Sequence, residues 1–205
     1  MSRHERRYQK HLERQQQKHG NRITGSGGAL ASPAQVARAV SSPIHEALVP
    51  SKLFELGMGN LLFSRSLPDG RIAMAMFLVD MYCLGVKNAF IAIVPKVEYA
   101  MRRSSLSSKE NLQPMEPACF RKLVEGSVVY AQDLGFSPHR DYALASQIFG
   151  DVQVADCSTH FEYGHNGKPF YVSGPNETED QVQAILDQLH RRVGEGNYDS
   201  LLLAG

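Results

Sequence analysis

Long apolar runs, paired cysteines and a decisive catalytic motif are all missing from this chain. No stretch approaches the roughly 20 consecutive apolar residues that span a bilayer, and the first residues, MSRHERRYQK, lack the apolar centre of a signal peptide. The expectation is a soluble protein that is not exported and has no membrane partner. Its three cysteines, Cys83, Cys119 and Cys157, are odd in number, far apart, and free of any C-x-x-C pair that could seed a zinc site or redox motif. That pattern predicts reduced thiols, a cytoplasmic location and neither metal nor cofactor.

What is present begins with charge. The 205 residues are 42% hydrophobic, enough for one ordinary core with extensions, since domains of about 100–150 residues are the commonest. The formal charge of +1 hides an asymmetry. Residues 1–22 hold seven cations (Arg3, Arg6, Arg7, Lys10, Arg14, Lys18, Arg22) against Glu5 and Glu13, a net of +5; of 22 bases and 21 acids overall, 15 and 19 remain for the rest, a net of −4. A basic arm on a mildly acidic body directs any contact with nucleic acid or an acidic protein to the arm.

Three segments follow from composition. Residues 1–20 are the arm: only Tyr8 and Leu12 are large and apolar, too few to anchor a helix to a core. Residues 21–42, rich in Gly, Ser and Ala, read as a flexible linker with a short helix over Pro33–Val40, capped by Ser32. Residues 43–205 then form a single domain.

Its centre is the hairpin LLFSRSLPDGRIAMAMFLVD, turned by Pro68-Asp69-Gly70. Ile72, Met74, Met76 and Leu78 point one way and Ala73, Ala75, Phe77 and Val79 the other, so both faces are apolar and the strand belongs mid-sheet. His45–Val49 reads as a first strand. AFIAIV reads as a strand to Val94, Pro95–Arg103 as a helix and SSLSSKENLQPMEP as a polar loop. Pro117–Leu134 is an amphipathic helix stopped by Gly135, with a shorter helix over His139–Phe149. HFEYG-HN-GKPFYVSG is a second hairpin whose Pro169 suits an edge strand. Thr178 to Gln181 forms a capping box for the last helix, and YDSLLLA returns as a short strand. The fold class is α+β: two hairpins forming a small sheet packed by three or four helices.

Three stretches, SPIHEALV with the following LGMGNLLFSRSLPDGRIAMAMFLVD, then MYCLGVKNAF, then FEYGHNGKPFYVSGPN, resemble a family of bacterial proteins of unknown function carrying FLVDxYCLGVK and GKPFYVxGP signatures after a basic N-terminal tail. Asp80 and Tyr82 to Lys87 match the first signature, and Gly167 to Val172 with Gly174 and Pro175 the second. The resemblance spans most of residues 43–194 and implies no reaction.

Chemistry must come from the residues. Asp80, Cys83 and Lys87 place a carboxylate, a thiol and an amine within eight residues, and an ammonium near a thiol lowers its pKa toward a reactive thiolate. The structural alternative has Asp80 tying the following loop, Cys83 packing as a small apolar group and Lys87 pairing with Asp80. Lys168 beside Tyr171 could hold a phosphate and stack a base; an edge strand with Phe170 inward and Tyr171 outward fits equally. His139-Arg140-Asp141 lacks the glycine-rich loop and D-F-G of a kinase and reads as a helix start. His160 and His165 match no metal-ligand spacing, and Gly57-Met58-Gly59-Asn60 lacks the third glycine of a dinucleotide loop. The leading reading is a binding or accessory module whose arm contacts nucleic acid or a nucleoprotein; an enzyme at Asp80, Cys83 and Lys87, or a protein-interaction module, are the alternatives.

Overall fold

The computed structural model describes residues 30–174 and 176–202. In chain order these form α1 (Pro33–Ala39), β1 (Ile44–Pro50), α2 (Leu53–Leu56), β2 (Met58–Ser66), β3 (Ile72–Asp80), β4 (Gly85–Val94), α3 (Lys96–Glu110), β5 (Leu112–Pro114), α4 (Pro117–Asp133), α5 (Tyr142–Ala145), β6 (Phe170–Val172), α6 (Glu179–Val193) and β7 (Asp199–Leu201). Two 3-10 turns, Ser146–Phe149 and Val154–Asp156, follow α5. The organisation is α+β.

β3 sits where its two apolar faces require, flanked by β2 and β4 in an antiparallel sheet of order β4-β3-β2-β1-β5. The β2–β3 turn is the expected one: Gly70 takes φ +83° and its N–H donates to Leu67 O, while Asp69 accepts from the Arg71 side chain. One sheet face, carrying Leu61, Phe63, Ala73, Ala75, Phe77 and Ile91, packs on α1, α4 and the turn at Phe149. The other, with Leu48, Leu62, Met74 and Met76, packs on Tyr99 and Leu106 of α3.

Four expectations are corrected. The packed body includes the described residues upstream of Pro43: Leu30 bridges Ala92, Ala31 N–H donates to Ile91 O, and Ala31, Val36 and Ala39 are buried. Ala31 and Ala39, inside the segment expected as a linker, are close-packed; its residues 21–29 lie outside the described residues. The capping box of Ser32 and Gln35 forms as expected. Second, α3 continues through SSLSSKE, expected as a loop, because burial of Leu106 and Glu110 outweighs the weak helix preference of serine; the Glu110 carboxylate accepts from Asn60 N and Nδ2. Third, the Asn166-Gly167 turn forms, with His165 bridging Lys168, but no hairpin extends from it. β6 pairs instead with β7, in parallel. Fourth, Cys119 and Cys157, expected reduced, form a disulfide across 38 residues, with Cα atoms 5.0 Å apart. It exists because the chain after α5 folds back over α4, hung on Arg121 Nη1, which donates to Val152 O, and Lys122 Nζ, which donates to Cys157 O.

The seven arm cations Arg3, Arg6, Arg7, Lys10, Arg14, Lys18 and Arg22 lie outside the described residues, as does Pro175 of the second signature. No helix among the described residues is long and apolar enough to cross a membrane.

Candidate functional site

The two signature segments meet. β3 ends at Asp80, the chain turns through Met81–Leu84 into β4, and that turn is clamped from three sides by backbone: Met81 N–H donates to Gly57 O, Gly164 N–H to Met81 O, and Phe170 N–H to Tyr82 O. Gly57 caps α2 in the left-handed region, φ +72°, and lies against the Tyr82 ring. Of the Gly57–Asn60 stretch, expected as a bend, only Gly57 bends; Met58, Gly59 and Asn60 already belong to β2, paired with Asp80, Val79 and Leu78.

Asp80 is 2% exposed. Its Oδ1 accepts from Tyr82 N at 2.9 Å and Cys83 N at 3.0 Å, so the side chain ties the turn. Oδ2 has no hydrogen-bond partner, the one such buried side-chain oxygen or nitrogen among the described residues. Burial raises its pKa; the Lys87 ammonium and the N–H groups of the turn oppose that but do not cancel it. With its folded pKa above its unfolded one, Asp80 binds more protons in the native state, so its contribution to stability declines as pH rises above the ordinary carboxylate range near 4. Asp80→Asn keeps an oxygen acceptor without the charge. Thermal melts of both proteins from pH 4 to 8 are expected to show the difference moving in the variant's favour with rising pH; a difference constant across that range refutes it.

Lys87 pairs with Glu177 rather than Asp80: Nζ lies 3.0 Å from Oε1. Glu177 Oε2 accepts from Tyr171 OH at 2.5 Å and Gly174 N at 2.8 Å. Burial works against the Glu177 charge, but Lys87, Tyr171 and Gly174 together hold its pKa below the usual value. Glu177 thus joins the loop after β6 to β4. Nothing in its sequence setting announces this, beyond its place two residues after the second signature.

Cys83 is fully buried, among Leu84, Leu134, Tyr171 and Leu189. Burial, then the Asp80 carboxylate, push its pKa well up; Lys87 pulls the other way more weakly. This fits the reading of Cys83 as a small apolar packing group rather than an activated thiolate, because the low-dielectric surroundings outweigh the nearby ammonium. The arrangement of Asp80, Cys83, Lys87, Tyr171 and Glu177 acts as a junction holding two segments together.

Tyr171, expected outward, is fully buried, so it offers no platform for a base. The reason is that β6 is covered on both faces: Phe170 and Val172 enter the main core while Tyr171 enters the cluster under α6. Lys168 reaches Gly196 O with Nζ. His165 stacks at a tilt on Tyr82 and Phe170, 5.2 and 5.3 Å between centroids, while His160 is exposed. His139 N–H donates to Val86 O, and Arg140 projects into solvent at the start of α5, as expected of a helix entry. Among the described residues no three His, Cys, Asp or Glu side chains gather as a metal site. Comparison with family models, curated proteins and solved structures found no match to this chain.

Proposed function

We propose that this protein is a binding or accessory module whose basic N-terminal arm contacts nucleic acid or a nucleoprotein. The supporting observation is charge segregation: +5 over residues 1–22 against −4 over the rest. Such an arm gains affinity by releasing counterions from a polyphosphate, and it carries no base-reading element, so binding is steeply salt-dependent and weakly specific. The body supports this reading over the enzyme alternative because the thiol at Cys83 is buried and disfavours its anion. Kinship with the bacterial FLVDxYCLGVK family belongs to the same proposal. So does a cytoplasmic location, which requires the Cys119–Cys157 pair to exist in a reducing compartment.

The test is fluorescence anisotropy of labelled DNA and RNA oligonucleotides over a salt series, with the full chain and with a full-length variant whose seven arm cations are glutamine. On B-DNA the log–log salt slope is about −0.9 per phosphate neutralised. The native chain is expected to bind with a steep slope and the variant to lose both binding and slope. Equal binding by the two proteins, or none by either, sinks the proposal, and binding of the native arm to an acidic protein alone would establish the interaction-module reading instead.

A further inference from the structure

We infer that Cys119–Cys157 is a redox-active pair that exchanges with dithiols through Cys119. Three features set it apart from an inert structural bridge. Cys119 is partly exposed whereas Cys157 is 4% exposed, so an incoming thiolate meets one sulfur. Cys119 is the third residue of the 17-residue helix α4, whose N-cap Glu116 makes no side-chain cap bond, leaving first-turn N–H groups to face an anion there. Thirdly, polar groups surround the pair. Lys122, one turn along α4, places its ammonium on Cys157 O at 3.0 Å, and the Thr159 hydroxyl is 3.7 Å from Cys119 Sγ. Cysteines at helix N-termini beside a cation have depressed pKa values. The opposing charges are the carboxylates of Glu116 on α4 and Asp156 on the facing turn, both solvent-exposed and screened.

A dithiol reductant attacks Cys119 Sγ as a thiolate; the Cys119–Cys157 bond breaks as the mixed disulfide forms, and Cys157 leaves as a thiolate and takes a proton. The reductant's second thiolate attacks its own bonded sulfur, closing the reductant's disulfide and releasing Cys119 as a thiolate at the head of α4. Two electrons pass from the dithiol to the protein. The loop stays hung on Arg121, Lys122 and Tyr163, whose hydroxyl donates to Leu123 O, so reduction changes the cross-link without unfolding the chain.

The experiment equilibrates the native full chain in glutathione and dithiothreitol redox buffers, alkylates with iodoacetamide and maps the modified cysteines by mass spectrometry. Cys119 and Cys157 are expected to interconvert fully between pair and thiols without denaturant, while Cys83 stays unmodified. Reduced Cys119 should alkylate at least tenfold faster than free glutathione at pH 6.5. In Cys157→Ser, oxidised glutathione should form an adduct at Cys119. A pair that resists reduction until denatured, thiols that fail to pair in oxidised glutathione, or a Cys119 no faster than glutathione would each overturn the inference.

Discussion

Arg65→Met is expected to lower the unfolding free energy by about 3–5 kcal/mol, because a buried donor to several acceptors cannot be removed without orphaning them. Arg65 is 3% exposed on the core face of β2. Its Nε donates to Ile148 O at 2.7 Å, Nη1 to Ser42 O at 2.6 Å and Nη2 to Phe149 O at 2.7 Å, so one guanidinium fastens the sheet to the end of α1 and to the turn after α5. The pairing of Arg65 with Ala73 on β3 leaves room for the side chain. Methionine keeps much of the apolar stem, which isolates the polar loss. The ion pair with Asp151 contributes little by comparison: it is long, at 3.4 Å, and Asp151 is 90% exposed. Urea unfolding of Arg65→Met and Asp151→Ala checks this directly, with the second expected within about 0.5 kcal/mol of native. Similar losses in the two would place the stability in the ion pair and refute the carbonyl account.

Gly85→Ala should be nearly as damaging. Gly85 opens β4 at φ +66°, and an added Cβ would stand 2.7 Å from Ala131 Cβ and 2.8 Å from Ser127 O of α4. The left-handed conformation costs a non-glycine residue about 1–2 kcal/mol, and forcing a helix backbone off a strand adds about 1–3 kcal/mol of overpacking. Gly70→Ala is the matched control, since Gly70 has φ +83° with nothing within 4 Å of the new atom. Chemical denaturation is expected to show about 2–5 kcal/mol lost at position 85 and about 1–2 kcal/mol at position 70. Equal losses would mean that conformation alone matters and that α4 yields freely.

These two positions also show where the sequence was legible. The central place of β3, the Pro68-Asp69-Gly70 turn and the capping boxes at Ser32 and Thr178 were all readable, because each depends on residues within one element or turn. Arg65 is harder to read, although Leu61, Phe63 and Arg65 share a strand face by alternation and that face is the core, because a charged side chain ordinarily marks the solvent side. The extension of α3 through its serines, the burial of Tyr171, the Lys87–Glu177 pair and the bridge from Cys119 to Cys157 all depend on which distant segment arrives opposite, which period and propensity do not encode. Of the two readings open for Asp80, the structure agrees with the loop tie, but Lys87, its expected partner there, pairs with a residue 90 positions further on.

That separation has a kinetic meaning. Strands β2, β3 and β4 follow one another through short connections, so their pairing closes small loops and can form early. The junction around Asp80 cannot, since Tyr171, Glu177 and Leu189 must be brought back to Cys83 and Lys87 after the sheet exists. Until they arrive, the carboxylate keeps its water. The cost of stripping that water therefore falls on the docking of the C-terminal segment rather than on the sheet, making this segment the natural unit of partial opening in an otherwise intact protein.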